Sequence, residues 1–436
     1  MSVRKRLAGV LGAALVCATV AVASTSAAST EGSQAGAESI TLEVWDWGTP
    51  SAKFVDAVNK EFTKLHPNVR IKWVTQPFNS YFTLLKSAVV AKRGPDIFSS
   101  YATAAVFDNQ KGLLPLTKYV TAKQRKDLSG WNNVSGGKTP YAVPMGGSGT
   151  IFYYNKALFR KAGLDPDAPP KTWDQLLAAC DALKGAGIVP MAAGFKDGYY
   201  AEWWFGSFGP QFLTNRQLDQ FTQKPKWNGA AMKKSLQYLL DFKERGCMTP
   251  NAEGRPLFSD TMDEFATGKA AMLISVDTAD DIGWGAFNKT LGKDLAVMPF
   301  PNLPGSLHKD LRISFGPLRA LAITKWTKHP DEAYQYLAFL TSAKIQERNW
   351  NETGWFPNNV NAKAKKPAIA AGNQLLRWAL DPNFEKFIGF DTTIRPSVEA
   401  TMVKLIPAVI IGQMSIADAL DQVQKAQEKL PPVPTK

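Results

Sequence analysis

The spacing of apolar residues changes twice within residues 40–73. Apolar and polar residues alternate over 40–44, apolar residues recur at helical spacing over 54–65, and alternation returns over 69–73. The pattern predicts a strand, a helix and a second strand. Two strands joined through a helix run parallel, because a tight hairpin would reverse the chain. This βαβ unit favours an α/β protein with a mostly parallel sheet.

Helix boundaries recur along the rest of the chain. Thr172 and Gln175 fit a capping box, and Gly185 is placed to end the helix that follows. We find no internal repeat, so alternating strands and helices predict the α/β class throughout. Further helices are predicted at 79–92, 229–245, 330–340 and from Ser415 onward.

The N-terminus has the three parts of a secretory signal. Basic residues 4–6 precede an Ala- and Val-rich apolar run over 7–23, and small residues at 21–23 and 26–28 each fit a cleavage site. The apolar run is too short and too small-sided for a membrane anchor, and we see no other run long enough to span a bilayer. The sequence predicts a signal peptide over 1–28, a flexible tether over 29–38, and export.

The three cysteines leave open whether the protein carries a lipid and whether it contains a disulfide. Cys17 would carry a lipid if cleavage occurred just before it, but Val16 is a poor residue for such a signal, so we expect a protein without lipid. Outside the cytoplasm, Cys180 and Cys247 can form a disulfide. Cys180 also lies on the apolar face of a predicted helix, which fits a buried free thiol at least as well.

The composition argues against nucleic acid as a partner. The formal charge is +13, but the basic residues are scattered. The densest groups, at 123–126 and 363–366, are short and lack interleaved aromatic residues, which is typical of a solvated surface. Core packing explains most of the 13 Trp residues. A sugar site would account for the rest, because the C–H faces of a pyranose pack on indole rings.

Signals for catalysis, metals and cofactors are missing. The three histidines, at 66, 308 and 329, do not have metal-ligand spacing, and the glycines at 146–149 fit neither a dinucleotide fingerprint nor a nucleophile elbow. The adjacent acidic pairs at 263–264 and 280–281 point in different directions and fit solvated helix ends. The sequence therefore predicts a protein that is not an enzyme and that needs no metal or cofactor.

Ten segments together resemble the extracellular solute-binding proteins of family 1, the sugar-binding components of bacterial ABC importers, which are similar to maltodextrin-binding protein. The run YYNKALF at 153–159, followed by GLD and PPKTWDQL, is the most specific part. Ile151 departs from the family, which usually has a small residue there. The resembling segments are 40–48, 62–74, 94–98, 112–120, 141–165, 169–184, 265–275, 295–305, 329–342 and 354–359.

The resemblance implies a periplasmic-binding-protein-like fold of type II, with two α/β lobes that close on a ligand. By analogy, residues 39–142 and 303–343 would form the first lobe. Residues 143–302 and 344–436 would form the second. The expected ligand is a mono- or oligosaccharide, and the expected partners are ABC permease subunits in the membrane. Nothing in the sequence suggests an obligate interface, so we expect a monomer in the periplasm or at the outer face of the cell membrane.

The resemblance also implies ligand contacts in loops at strand ends and at the lobe connections. Asp46 and Trp47 follow the first strand, at the sheet edge where open α/β folds bind ligands, and a carboxylate there would accept sugar hydroxyls. Arg395 would bind a hydroxyl or an anionic group. The remaining candidates of this kind are Ser100, Tyr101, Thr103, Met145, Gly147, Asp277, Trp284, Phe315, Gly316 and Trp355.

The densest aromatic cluster occupies 199–204. It contains Tyr199, Tyr200, Trp203 and Trp204, in a segment whose relatives stack on sugar rings. We expect at least one of the four to stack on a ligand, with core packing as the alternative for each.

Three other functions stay open. The same fold could bind another polar solute, such as a polyamine, glycerol phosphate or a uronate, although the aromatic residues favour a neutral sugar. A secreted glycosidase would need two carboxylates at a catalytic separation, and one sequence does not show which carboxylates meet in space. An adhesin that uses the positive charge would lose binding with salt.

Overall fold

The computed structural model describes residues 39–48, 52–221, 224–276, 285–363, 370–381 and 383–432. The predicted signal peptide, tether and Cys17 lie outside these residues, as do the candidates Asp277 and Trp284.

The strands are β1 (Ile40–Asp46), β2 (Val69–Thr75), β3 (Ile97–Tyr101), β4 (Ser135–Gly136), β5 (Thr139–Pro140), β6 (Val143–Ser148), β7 (Thr150–Asn155), β8 (Val189–Met191), β9 (Ala270–Val276), β10 (Leu295–Met298), β11 (Ile313–Ser314), β12 (Gly316–Ile323) and β13 (Lys386–Phe387). The helices are α1 (Ala52–Leu65), α2 (Phe78–Ala91), α3 (Ala122–Asp127), α4 (Lys156–Lys161), α5 (Trp173–Gly185), α6 (Tyr199–Phe208), α7 (Asn215–Phe221), α8 (Ala230–Glu244), α9 (Met262–Ala266), α10 (Phe287–Leu291), α11 (Pro330–Leu340), α12 (Ala343–Thr353), α13 (Ala370–Leu380), α14 (Phe390–Thr393), α15 (Pro396–Ile410) and α16 (Ile416–Glu428).

The first lobe is built on a five-stranded sheet with the order β2-β1-β3-β12-β6. β1 pairs in parallel with β2 along all seven residues, which confirms the predicted βαβ unit. β12 runs antiparallel between β3 and β6. Apolar side chains of β1 and β3 pack with α1, α2 and α11 in one hydrophobic core. β1 also pairs in parallel with β3. The two strands therefore end at the same edge of the sheet, where the loops that follow them lie close together.

The second lobe is built on a four-stranded sheet with the order β10-β7-β9-β8. β7 runs antiparallel to both β10 and β9, and β8 is parallel to β9. A separate hydrophobic core surrounds this sheet and includes side chains of α5, α6, α8 and α15. Two sheets with two separate cores give the described chain its two lobes.

Three segments among the described residues connect the two hydrophobic cores. β6 continues into β7 through Gly149, and β11 continues into β12 through Phe315. These two crossings touch: a Cβ atom built on Gly149 would lie 1.9 Å from the carbonyl oxygen of Ser314. The third crossing is α12, since Ile345 packs in the first core and Trp350 in the second.

Cys180 and Cys247 form a disulfide, which decides between the two alternatives that the sequence left open. The bond joins α5 to the segment after α8 within the second lobe. Among the described residues, no helix combines the length and the apolar character that crossing a membrane requires.

Candidate functional site

A buried ion pair lies where β1 ends. Nη1 of Arg319 donates to both carboxylate oxygens of Asp46, at 2.7 and 2.8 Å, and the backbone N–H of Trp47 donates to Asp46 Oδ1 at 2.9 Å. Asp46 is 1% exposed and Arg319 is 7% exposed. The sequence predicted that Asp46 accepts sugar hydroxyls. Here the carboxylate neutralises a buried guanidinium, and its contact with sugar hydroxyls stays a prediction.

Two tryptophans enclose this guanidinium. The Cζ atom of Arg319 lies 4.5 Å from the ring centre of Trp47 and 4.5 Å from that of Trp355. Both indoles are therefore in cation–π contact with the guanidinium. The buried Nε1 of Trp355 and Nε of Arg319 have no hydrogen-bond partner among the described residues, so two N–H donors are left without an acceptor here.

Trp47 also belongs to an aromatic cluster in the first lobe. Its ring centre lies 5.0 Å from Tyr81, 5.4 Å from Phe82 and 5.2 Å from Tyr101. Tyr101 ends β3 and pairs in register with Arg319 on β12. The hydroxyl of Tyr81 donates to Ser99 O at 2.6 Å, and burial raises the pKa of Tyr81 well above its usual value. The cluster therefore places several packed aromatic rings at the end of β1, and such rings can stack on a ligand.

A second aromatic cluster joins the two lobes. Phe258 of the second lobe lies 5.9 Å from Tyr199 and 5.8 Å from Trp203. Phe78, the first residue of α2, lies 5.4 Å from Tyr199 and 6.1 Å from Phe258. Burial raises the pKa of Tyr199, and the neighbouring carboxylate of Glu399 adds to the shift. We call Phe78, Tyr199, Trp203 and Phe258 the aromatic bridge.

The other two aromatic candidates on α6 lie in the core. Trp204 and Tyr200 are both 0% exposed. Nε1 of Trp204 donates to Ser235 O at 3.2 Å, and its ring packs on Phe208 at 4.6 Å. Tyr200 packs edge-on against Phe195. A sugar could not reach either ring without unpacking the second lobe, so their positions argue against the predicted ligand contacts.

The candidates near the crossings make backbone hydrogen bonds or lie where backbone and side chains approach closely. Met145 O accepts a hydrogen bond from Gln346 of α12, and the N–H of Gly147 donates to Phe356 O at 2.9 Å. A Cβ atom on Gly147 would lie 3.2 Å from the ring of Phe315, and one on Gly316 would lie 2.9 Å from Ile388. These contacts hold the crossing strands together, whereas a ligand role for Met145, Gly147, Phe315 and Gly316 stays a prediction.

Two further candidates follow or belong to β3. Ser100 is buried on the face of β3 opposite to Tyr101, because successive side chains of a strand alternate, and it therefore points away from Trp47. Thr103 is also buried and precedes the 3₁₀ segment Ala104–Gly112.

Arg395 connects the lobes. Its Nε pairs with the carboxylate of Asp108, which lies in the 3₁₀ segment after β3, and its Nη1 donates to Pro431 O at 2.6 Å. Burial raises the pKa of Asp108, and the Arg395 guanidinium opposes that shift. Arg395 is 2% exposed, so its charge serves this ion pair in the present conformation.

The family follows from a sequence model that matches residues 46–347, described as bacterial extracellular solute-binding protein. The chain belongs to this family. The match covers most of the chain and confirms the resemblance seen in the sequence.

Individual relatives of this solute-binding protein differ in their named solutes. The multiple sugar-binding protein of Streptococcus mutans is 23% identical over 74% of this chain and 76% of its own. The sn-glycerol-3-phosphate-binding periplasmic protein of Agrobacterium fabrum is 26% identical over 65% of each chain. A solved chitin oligosaccharide binding protein superposes with a TM-score of 0.76, 22% identity, and coverage of 90% of this chain and 98% of its own. The structural match confirms the two-lobed α/β fold.

Sequence reasoning missed several residues of the candidate site. Arg319 was overlooked, although it is a lone cation in an otherwise apolar strand. Phe78, Tyr81 and Phe82 were also missed, although their spacing of three and four residues puts them on one face of α2. No sequence pattern indicates Phe258 as a site residue, because it is separated in sequence from its aromatic partners. The described residues contain no group of His, Cys, Asp or Glu side chains placed to hold a metal ion.

Proposed function

We propose that this protein captures a carbohydrate between its lobes and delivers it to the permease subunits of an ABC importer. The aromatic bridge carries the proposal, because Phe78 of the first lobe meets Tyr199 and Phe258 of the second. Rings from both lobes at one place suit a pyranose, whose two C–H faces pack between aromatic surfaces.

Closure supplies the mechanism that we propose. A sugar bound between Trp47 and Tyr199 touches both lobes only when they are closed, so binding stabilises the closed form. The donors Trp355 Nε1 and Arg319 Nε would bind hydroxyl oxygens of the sugar. The permease would then distinguish the closed form from the open one, and no bond of the sugar would be cleaved.

We propose lobe boundaries that follow the two cores. The first lobe would comprise residues 39–148 and 316–345, and the second would comprise most of the remainder. Leu303 packs in the second core, and β11 pairs with β13. We therefore propose that the chain returns to the first lobe at about residue 315, and not at residue 303 as the resemblance implied.

Export supports the same function. The Cys180–Cys247 disulfide suits an oxidising compartment, since thiols in the cytoplasm are kept reduced. We propose that residues 1–28 are removed as a signal peptide and that the protein acts as a monomer in the periplasm or at the outer face of the membrane, without lipid on Cys17.

Thermal unfolding against a panel of solutes tests the proposal. The panel holds mono- and oligosaccharides, polyamines and phosphate esters. A tight sugar at about a hundred times its dissociation constant should add about 2.7 kcal/mol to the free energy of unfolding. Phe78→Ala and Tyr199→Ala should abolish most of the shift, while Trp378→Ala, which removes an indole stacked on Phe384 in the second lobe, should leave it unchanged.

Other outcomes would redirect the proposal. Stabilisation by glycerol 3-phosphate or a polyamine alone would keep the binding function and replace the solute class. Cleavage of a stabilising oligosaccharide, followed by chromatography, would indicate a glycosidase. A flat panel with salt-sensitive binding to cell envelopes would contradict solute capture.

A further inference from the structure

A cavity of about 260 Å³ lies beside the second crossing, in the second lobe. Its walls come from α7, from the residues that flank β11, from β13 with the residues next to it, and from the start of α14. Phe315 is the one candidate of the sequence analysis that lines it. Asp46, Trp47, Arg319 and the aromatic bridge do not line it, so the cavity is separate from the proposed sugar cleft.

The floor of the cavity contains an incompletely bonded arginine. Arg312 is 5% exposed, and its Nη2 donates to Lys386 O at 3.2 Å. Its Nε and Nη1 are buried and have no hydrogen-bond partner among the described residues. Burial lowers the pKa of Arg312 below its ordinary value. Unpaired buried N–H groups are costly, so acceptor atoms placed in this cavity would remove a penalty that the protein otherwise carries.

The charges around Arg312 are balanced. Lys386 adds a second cation, while Asp219 and Glu385 contribute two carboxylates at the exposed rim. The lining therefore offers both donors and acceptors, and hydroxyl groups can accept from the guanidinium and donate to the carboxylates.

Aromatic surfaces complete the lining. Phe315, Phe387 and Phe390 all border the cavity, and the Arg312 guanidinium lies 5.3 Å from the ring centre of Phe387. Apolar ring faces next to alternating donors and acceptors suit a molecule with C–H faces and hydroxyl edges.

We propose that this cavity is a second solute site, which binds a neutral polyol of monosaccharide size. The site touches the crossing itself, because Ile313 N donates to Glu385 O at 3.3 Å and Phe315 N donates to Phe387 O at 2.9 Å. A bound polyol thus contacts the strand that connects the lobes. The proposal rests on the residues of this cavity and does not depend on which solute the cleft binds.

Saturation-transfer NMR on the full-length protein tests the site, with methyl β-D-glucopyranoside and myo-inositol as probes. Leu218→Trp places a large side chain at the half-buried mouth of the cavity. Arg216→Trp places the same side chain on the exposed surface of the same helix, outside the cavity, and is the matched control. Asn215→Trp at the exposed rim repeats the block if Leu218→Trp fails to fold, as judged by circular dichroism.

At least one probe should give a signal that falls fivefold or more in the blocking variant and stays unchanged in Arg216→Trp. The signal should also persist in Phe78→Ala, which separates this site from the proposed cleft. Probe signals that are independent of the blocking variants would overturn the proposal. Inorganic phosphate that competes with the probe at the same site would overturn the neutral class of ligand.

Discussion

At the scale of single residues, the tightest contact joins the first two crossings. The carbonyl oxygen of Ser314 occupies the place where any side chain at position 149 would begin. Only glycine allows two backbones to approach so closely. Gly149 therefore fixes the distance between the two strands that carry the chain from lobe to lobe.

Gly149→Ala should destabilise the protein by about 1–3 kcal/mol, because the new methyl group forces the crossing strands apart. Urea unfolding measures the change in free energy. Gly185→Ala is the matched control, since a Cβ atom there meets nothing within 4 Å. Equal stability of the two variants would show that the crossing strands move apart without cost.

The Asp46–Arg319 pair gives a second prediction at this scale. Arg319→Met should cost about 3–5 kcal/mol, because it leaves the Asp46 carboxylate buried without its cation. The double variant Asp46→Leu/Arg319→Met should recover most of this loss. Urea unfolding of both singles and the double variant gives the coupling free energy, and additive losses would contradict the pairing.

Arg160→Met serves as the comparison for that cycle. It removes the more exposed Arg160–Asp294 pair and should change the free energy of unfolding by less than about 1 kcal/mol.

The four aromatic site candidates on α6 show how far sequence reasoning reaches. Tyr199 and Trp203 are four residues apart and share one helix face, and Tyr200 and Trp204 share the adjacent face. The spacing predicts these two pairs. It does not predict which pair is fully buried, because that depends on how α6 packs against α8 and α15, which are distant in sequence.

At the scale of elements, the predicted helix starts are confirmed. Thr172 accepts a hydrogen bond from Gln175 N at the start of α5, and Ser415 accepts one from Asp418 N at the start of α16. The Gln175 side chain accepts from Lys171 N, so the predicted capping box is only half formed. The position of β12 between β3 and β6 could not be predicted. Pairing between strands that are far apart in sequence leaves no periodic pattern, so Arg319 could not be placed beside Asp46.

The disulfide gives a prediction for the second lobe. Cys180 and Cys247 are 67 residues apart, and closing such a loop restricts the unfolded chain by about 4 kcal/mol. Cys180→Ala/Cys247→Ala should therefore lower the midpoint of thermal unfolding. Dithiothreitol should lower the midpoint of the wild type and leave the double variant unchanged. Insensitivity of the wild type would contradict a stabilising bond.

At the scale of the whole molecule, the Asp108–Arg395 pair connects the lobes directly. We expect Arg395→Gln to favour the open form in the absence of solute, because it removes a buried attraction that exists only when the lobes are close. Small-angle X-ray scattering should show a larger radius of gyration than in the wild type.

Arg255→Gln is the matched control for this experiment, because the Arg255–Glu264 pair lies within the second lobe. Its radius of gyration should equal that of the wild type. An unchanged radius in Arg395→Gln as well would show that the ion pair does not influence closure.

The order of strands along the chain has a consequence for synthesis on the ribosome. Every strand of the second sheet lies within residues 150–298, whereas the first sheet waits for β12 at 316–323. A nascent chain that ends near residue 300 can already pair all strands of the second sheet. In the same chain the facing edges of β3 and β6 are still unpaired, and open edges attract other strands. The first sheet begins before the second and is completed after it, so the nascent chain needs protection at its N-terminal half.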